Sequence, residues 1–396
     1  MSCAQRGGNV SSITIHVSGY NGSVAHIALD ARLAHYRRES GIGQYIVHLA
    51  HWLPRLDPDR VYTILRSRKD RANLAAAPNA RRFDLWTPSH HRFEQLALPI
   101  EMARVGCDLL HSPDFIPPLH TLPCPVRGRY RRVITVHDLT FLRYPHFLTA
   151  ESRRYYNGQI THAVTIANHI LADSHATKAD LIDLLGAPAA KITVVWLAPD
   201  ARFRPQPPRS SRPGWPDRYL LFVGAFEPRK NVAGLLSAYR ILLDRNASAP
   251  PLVIAGRRGW LFDETLARVE RLGLRERVLF LDAPADDDLV ALYNGAAMLV
   301  QPSHYEGFGL PVLEGMACGV PVVISDRGSL PEIAGGAALA VNPDDAGALA
   351  DAIERLLDDP TLGEQLRQKG LARAAAFTWE RCARETLDVY NSLIDH

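Results

Sequence analysis

The stretch HYEGFGLPVLEGMACGVPVV, residues 304–323, decides how this chain is read. It follows a short apolar run, Met298–Gln301, and is built to turn from a strand into a helix. Gly307 and Gly309 let the backbone pass close to a ligand. Pro311 suits the first turn of a helix, where the amide it lacks would be unpaired anyway, and the helix is expected to continue through Val312–Ala317. The unpaired amides of Phe308, Gly309 and Leu310 would then point at whatever sits above the helix end, together with the positive end of its dipole. Two carboxylates bracket this cradle, Glu306 in the loop and Glu314 about one turn into the helix. An ionised carboxylate has only acceptors, which match pairs of sugar hydroxyls. Glu314 suits a ribose diol, and Glu306 suits the hydroxyls of a hexose. On residue types alone, a glycine-rich turn before a helix with an early, dipole-favouring glutamate explains the same letters equally well.

Outward from this loop, short β-branched runs alternate with longer amphipathic segments. The first half offers strands at Ala25–Leu29, Val61–Leu65, Leu109–His111, Val133–Val136, His169–Ala172 and Ile192–Val195. The second offers Tyr219–Val223, Leu252–Ala255, Val278–Leu281, Met298–Gln301, Pro321–Ile324 and Ala338–Val341. Such runs are buried on both faces of parallel sheets covered by helices, so the expected fold is α/β, with two doubly wound Rossmann-like domains. Residues 199–216, PDARFRPQPPRSSRPGWP, carry proline, arginine and serine in place of any period and read as an extended linker. The expected organisation is an acceptor-side domain at 25–198, the linker at 199–216, a second domain at 217–376 and a tail at 377–396. Helical spacing at Trp379, Cys382, Leu387, Tyr390 and Leu393 suggests that the tail packs back toward the first domain. Residues 1–24 fit an extra edge strand, a disordered leader or an overlong start; composition favours a dispensable extension.

Bulk properties narrow the function. A chain of 396 residues predicts two domains. Its net charge of +3 is far from that of a dedicated nucleic-acid binder and suits an anionic small molecule or an anionic membrane surface. Cys3, Cys107, Cys124, Cys318 and Cys382 are scattered without a CxxC, which argues against a disulfide framework or zinc site and for a reducing compartment. There is no apolar run of membrane-spanning length and no signal-peptide pattern. A cytoplasmic protein is expected, with peripheral contact at the inner face of the cell membrane left open.

The spacing of Glu306 and Glu314, with seven residues between them in EGFGLPVLE, resembles the EX7E signature of the GT-B fold, retaining glycosyltransferases of family 4. The continuation ACGVPVVISDRGSLPEIAGGAAL is similar to that family as well, and the likeness runs from about Ala25 to the end. The resemblance implies two domains facing across a cleft. In LFVGAFEPRKN, residues 221–231, Arg229 and Lys230 lie between a strand ending at Gly224 and the helix Val232–Tyr239. Two cations above a parallel strand's carboxyl end are placed to neutralise a diphosphate, although alone they read as a solvated basic turn. The family's EPRKN-type loop gives these cations the departing nucleoside diphosphate. In RRESGIGQY, residues 37–45, Gly41 and Gly43 precede a helix expected over Gln44–Leu53. The family's SGIGRY loop reaches over the donor's phosphates, and Gln44 stands where arginine is frequent. In VITVHDLTFLRYP, residues 133–145, His137 and Asp138 sit at a strand's carboxyl end. By resemblance His137 lines the cleft near the transferred sugar, and Asp138 orients His137 or the acceptor.

By resemblance to the family, Gly256 and Arg257, and the loop 283–289, would lie near the nucleoside. The run Asp286–Asp288 invites a metal reading, but it precedes an apolar helical stretch where aspartate is a good N-cap. No metal and no other cofactor is expected; a nucleotide diphosphate sugar serves as co-substrate. With no nucleophilic carboxylate beyond Glu306, the resemblance implies front-face substitution with retention, the leaving phosphate helping to deprotonate the acceptor. Arg37, Arg38, Arg127, Arg129, Arg131, Arg132, Arg153 and Arg154, interleaved with Tyr130, Tyr155 and Tyr156, read as a solvated basic face or as a dock for a membrane carrying a lipid-diphosphate-linked sugar. The likeness is to the bacterial branch that makes O-antigen and exopolysaccharide, so the expected donor is GDP-mannose and the acceptor a glycan or a polyprenyl-diphosphate-linked glycan. The rivals are a nucleotide-sugar epimerase of the same fold and a non-catalytic nucleotide-sugar-binding protein.

Overall fold

In the computed structural model, which describes residues 24–37, 40–91, 93–119, 130–147, 150–207, 214–259 and 262–394, the apolar runs become the strands of two parallel sheets. The N-terminal extension through residue 23, and Arg38, Arg127 and Arg129 of the basic face, lie outside the described residues. The first sheet holds β1 (His26–Asp30), β2 (Val61–Ser67), β3 (Ala80–Leu85), β4 (Leu109–Ser112), β5 (Arg131–Val136), β6 (His169–Ala172) and β7 (Ile192–Val194), in the order β3-β2-β1-β4-β5-β6-β7. The second holds β8 (Tyr219–Val223), β9 (Leu252–Gly256), β10 (Val278–Asp282), β11 (Ala296–Gln301), β12 (Val322–Ser325) and β13 (Leu339–Val341), in the order β10-β9-β8-β11-β12-β13. In both, the order reverses beside the first strand, the place where ligands settle in open α/β sheets.

Around the first sheet lie α1 (Ala34–Arg37), α2 (Gly41–Leu56), α3 (Glu94–Met102), α4 (Thr140–Arg143), α5 (Ala150–Ile166) and α6 (His175–Leu185). Around the second lie α7 (Val232–Arg245), α8 (Phe262–Arg271), α9 (Asp286–Gly295), α10 (Leu310–Ala317), α11 (Leu330–Ala334), α12 (Ala346–Asp358) and α13 (Pro360–Ala374). The last helix, α14 (Trp379–Ile394), leaves the second domain and packs on α2 of the first.

Sequence reasoning missed β3, ARRFDL, because an edge strand with Arg81, Arg82 and Asp84 exposed has no apolar alternation to find. Those charges also discourage pairing with another chain. Helix α2 starts at Gly41, three residues before the expected Gln44, because the Ser40 side chain accepts the Gly43 amide at 3.2 Å and caps it. The linker is less free than its proline content suggests. The Gln206 amide donates to Asn294 at 2.8 Å, and Phe203 meets Tyr293 edge-on at 5.6 Å; residues 208–213 lie outside the described ones.

The tail helix ties the two domains through buried aromatic groups. Trp379 stacks on His48 of α2 with ring centroids 4.4 Å apart. Tyr390, fully buried, reaches His111 on β4 at 2.6 Å, and the other His111 nitrogen lies 2.8 Å from Thr135. Burial, with His137 nearby, lowers the His111 pKa to about 3, so it stays a neutral bridge. One apolar core runs continuously from β1 and α2 through α10 into α14. Cys107, Cys318 and Cys382 are buried and form no disulfide among the described residues. Trp379→Ala removes the stacked ring from this junction and is expected to cost roughly 3 kcal/mol, read as a lower urea midpoint.

Candidate active site

The chemistry gathers where the carboxyl ends of the two sheets face each other. After β8, the chain turns through Pro228–Lys230 into Asn231, which sits at φ +56°. The Asn231 side chain caps α7 by accepting the Gly234 amide at 3.1 Å, and donates to the carbonyls of Pro302 at 3.1 Å and Pro343 at 2.8 Å. That knot fixes Arg229 and Lys230 against the loop after β11. Lys230 Nζ lies 2.6 Å from Glu306 Oε1, and Arg229 Nη1 lies 2.7 Å from Glu306 Oε2. Ser303 Oγ donates to Glu306 Oε1 at 2.7 Å. Burial alone would raise the Glu306 pKa; Lys230 and then Arg229 overcome it and bring it to about 2.

The expectation for these residues changes in one respect. Arg229 and Lys230 do not stand ready as bare cations: both are paired with Glu306, and Arg229 also binds Glu227 at 2.8 Å. Two cations and two carboxylates make a formally neutral cluster, because buried like charges need counter-charges. Each carboxylate oxygen has two lone pairs, so Glu306 Oε2, with the Arg229 contact as its one hydrogen bond here, still has capacity for a hydroxyl.

The cradle sits beside this cluster. Gly309 is the N-cap of α10, at φ +107°, and a Cβ there would come 2.6 Å from Leu330 Cδ2. Only glycine fits both demands. Ser329 Oγ lies 2.6 Å from the Phe308 carbonyl and 2.9 Å from that of Glu306 and shares its one proton between them, which turns the opposite, amide side of the loop outward. The amides of Phe308, Gly309 and Leu310 find no acceptor among the described residues. Phe308 itself is buried against Phe377, with ring centroids 6.2 Å apart. One turn along α10, Glu314 accepts a hydrogen bond from Tyr293 at 2.7 Å. Burial is the main reason that the Glu314 pKa rises to about 7, with Asp200 and Asp286 adding to it and the Tyr293 bond opposing it.

From the first domain comes His137, just past β5. Its Nδ1 lies 2.6 Å from Asp173 Oδ2 and its Nε2 lies 3.1 Å from the Pro113 carbonyl. Both partners only accept, so both ring nitrogens donate and the ring is an imidazolium. Burial opposes that charge, but Asp173 and then Asp114 outweigh it and raise the pKa to about 9. Asp138 does not orient His137. It accepts the Thr140 amide at 2.9 Å at the start of α4, and the orienting carboxylate is Asp173, past β6. Sequence reading passed over the segment LADSH, although Asp173 lies at a strand's carboxyl end as His137 does.

The two edges touch. Ser174 Oγ donates to the Gly307 carbonyl at 2.6 Å, and Thr177 Oγ1 approaches it at 3.3 Å. A Cβ on Gly307 would lie 2.0 Å from the His137 carbonyl, and one on Gly41 would lie 2.9 Å from Leu310 Cδ1. Gly41 and Gly43 thus form the first turn of a helix aimed at the start of α10, not a separate loop. Glu332 accepts the Trp196 indole N–H at 2.8 Å and the His175 amide at 2.9 Å, and Tyr305 bonds Asp180. These cross-domain partners carried no local sequence signal.

Other expected residues sit differently. A Cβ on Gly256 would lie 1.9 Å from the Gly224 carbonyl, so this glycine lets the ends of β8 and β9 meet. Asp286 does not cap α9: Ala285 holds the cap position, and Asp286 pairs with Arg202 of the linker. Among the described residues no group of three His, Cys, Asp or Glu side chains could hold a metal ion. Of the basic residues only Arg131, Arg132 and Arg153 can be placed with their side chains. Arg131 and Arg132 open β5 at the edge away from the cleft, whereas Arg153 lies in the first turn of α5, near the cleft.

His137 supplies a pH signature. Its folded pKa of about 9 exceeds the unfolded 6.5, so its contribution to stability is fully present below about pH 6.5 and is lost as pH rises through about 9. The stability difference between wild type and His137→Gln should shrink by on the order of 3 kcal/mol between about pH 6 and pH 10, in urea unfolding at each pH.

Residues 207–373 match the model for glycosyl transferases group 1, and residues 40–201 match that for glycosyltransferase family 4. The chain is 37% identical to the O-antigen chain mannosyltransferase B of Escherichia coli, over 72% of this chain and 74% of that protein. It is 36% identical to the E. coli serotype-specific mannosyltransferase WbdA over 45% of this chain, a match that spans 22% of that longer protein. Among solved structures, sucrose-phosphate synthase from Thermosynechococcus elongatus superposes with a TM-score of 0.73 at 22% identity, covering 94% of this chain and 99% of that one. WaaG, a glycosyltransferase involved in lipopolysaccharide biosynthesis, superposes at 0.70 and 14% identity, covering 92% and 99%.

Proposed function

The chain belongs to glycosyltransferase family 4 and has the GT-B fold, and from that membership we propose that it transfers mannose from GDP-mannose, with retention and without a divalent metal. The acceptor in this reading is a glycan or a polyprenyl-diphosphate-linked glycan of a bacterial surface polysaccharide, O-antigen or exopolysaccharide. The work would be done in the cytoplasm or at the inner face of the membrane. The E. coli relatives named for mannosyl transfer support the choice of sugar. One observation carries the reading: Arg229, Lys230 and Glu306 meet beside the free amides of α10, across from a charged His137.

The difficult step is departure of a nucleoside diphosphate from the anomeric carbon. Negative charge grows on the leaving phosphate and positive charge on the sugar. The amides of Phe308, Gly309 and Leu310 and the end of α10 stabilise the phosphate in place, with no reorganisation at the moment of reaction. Arg229, whose side chain is 22% exposed against 9% for Lys230, presents its fork to the cleft while Lys230 holds Glu306. Glu306 then accepts a sugar hydroxyl, and Glu314 takes the ribose diol. The first turn of α2, with Gly41 and Gly43, closes over the phosphates, and Gly256 shapes the nucleoside side. His137 adds positive potential at the sugar, and Asp138, beside Arg229, lies on the acceptor side. The acceptor hydroxyl enters on the face the phosphate leaves and gives its proton to the departing phosphate oxygen.

Purified protein with GDP-mannose, a glycan acceptor and EDTA should release GDP and form an α-mannoside, seen by mass spectrometry and NMR. Arg229→Ala should lower kcat on the order of 100-fold. Abolition of turnover by EDTA would rule out the metal-free reading, and mannose isomerisation without an acceptor would identify an epimerase. A second outcome concerns Glu314, whose pKa of about 7 leaves it half protonated near neutrality. Binding to a diol needs the carboxylate, so GDP-mannose should bind about tenfold more tightly at about pH 8 than at about pH 6 by calorimetry. Glu314→Gln should bind weakly and without that pH dependence.

A further inference from the structure

Large apolar side chains are exposed in one short segment of the first domain. Trp86 is 70% exposed, Phe93 50%, Leu96 70% and Ile100 61%, while elsewhere among the described residues only Leu184 and Leu266 stand out, at 40% and 37%. Scattered exposed leucines are ordinary, but a cluster on one face is not. Phe93, Leu96 and Ile100 recur at helical spacing along α3, while Leu98 and Met102 on its other side enter the core with Leu85 and Val105. Trp86 joins the same patch: its amide donates to Glu101 of α3 at 2.8 Å, and the Arg68 guanidinium lies 3.8 Å from its ring centroid.

The charges around the patch are sorted by sign. Glu94 is turned inward onto Arg32 at 2.7 Å, Glu101 is held by the amides of Trp86 and Thr87, and Asp84, itself exposed, is paired with Arg66 at 2.8 Å and lies 3.9 Å from Arg82. Arg68, Lys69, Arg71 and Arg82, on and beside the edge of the sheet, are exposed. An apolar helix face flanked by outward cations fits the boundary between headgroups and acyl chains of an anionic bilayer. A second copy is the poorer fit, because an isologous contact through this face would bring the same cations together. No helix among the described residues is long and apolar enough to cross a membrane, so contact here would lie in the plane of the surface.

We propose that the exposed face of α3, together with Trp86, docks this enzyme on an anionic lipid surface. The purpose of this docking rests on the lipid-linked acceptor proposed above, although the surface itself is read from exposure and charge. The first residue of the same helix reaches the carboxyl end of β1. Glu94 holds Arg32, which Asp30 grips at 2.6 Å just past β1, and the His90 amide donates to Glu94 at 2.7 Å while its ring meets Asp114 at 2.5 Å. Docking through α3 therefore sets the acceptor-side edge of the cleft beside the headgroups. This replaces the face centred on Arg131 and Arg132, which lies at the far end of β5.

The test is flotation of the full chain with phosphatidylcholine vesicles, with and without about 30 mol% phosphatidylglycerol. Wild type should float with the anionic vesicles only, with a blue shift of tryptophan emission that Trp86→Phe reduces. The Leu96→Ser/Ile100→Ser double variant should bind roughly tenfold more weakly or worse, while releasing GDP from GDP-mannose in solution at the wild-type rate. Phe93→Ser is the second variant should the double one lose its helical circular dichroism. Equal binding by the folded variants, absence of wild-type binding, or equal flotation with neutral vesicles would overturn the proposal. So would a wild-type dimer that these substitutions dissolve, since the occupant would then be a second copy. GDP release without vesicles reports on the transfer reading alone, so either idea can fail while the other stands.

Discussion

Two adjacent cations buried at the mouth of a cleft need an anion between them, and Glu306 is that anion. The contacts around it follow from the requirement. Ser303 fills one of its lone pairs, the Asn231 knot holds the cation loop against the glutamate loop, and Ser329 binds the carbonyls of that loop. The carbonyls turned inward leave the amides of Phe308, Gly309 and Leu310 facing out. The electrostatic need of a ligand-free site and the positive lip that a diphosphate would meet are thus satisfied by one arrangement. A formally neutral cluster resting beside an unsatisfied helix end avoids an uncompensated buried charge, yet keeps dipoles aimed where negative charge would develop.

The opposing wall repeats the logic with a different pair. His137 is charged because Asp173 and a backbone carbonyl leave its nitrogens nothing to do but donate. Its own carbonyl lies so close to Gly307 that a methyl group could not pass between them. Close approach, not flexibility, is therefore the reason for glycine at 307, where the neighbour is backbone that cannot give way. The domains are held in register by small residues at the contacts and by α14 behind them, whose Trp379 and Tyr390 anchor in the first domain.

How much of this could be read beforehand depends on the range of the interaction. The strands and the loops that follow them were legible because parallel strands are buried on both faces and because ligand loops lie at carboxyl ends. Glu306, Arg229 and Lys230 lie in those loops and Glu314 in the helix that follows, and it was the family resemblance of EGFGLPVLE and EPRKN that singled them out. The Arg229–Glu306 contact joins residues 77 positions apart, and nothing local to either announces it. Asp173 was passed over because a lone aspartate after a strand looks like any polar turn. Strand β3 escaped because its charged edge breaks the apolar rule, and the start of α2 was misplaced because Ser40 was not weighed as a cap. The membrane-facing reading went to arginines adjacent in sequence, which the strand β5 carries to the far edge, while the apolar face of α3 is visible only once its buried face is known.

The linker was read as a spacer, yet it reaches the side of the cleft where Glu314 lies. Asp200 lies 3.7 Å from His48 on α2, and Arg202 lies between Asp200, at 3.1 Å, and Asp286 at the start of α9. The nearby His48 ring is the first cause of the depressed Asp200 pKa, ahead of Arg202, so Asp200 is an anion in the folded state. Asp200 and Asp286 both raise the pKa of Glu314, the carboxylate proposed to hold the ribose. The linker thus belongs to the electrostatic surroundings of Glu314, although the two are far apart in the chain.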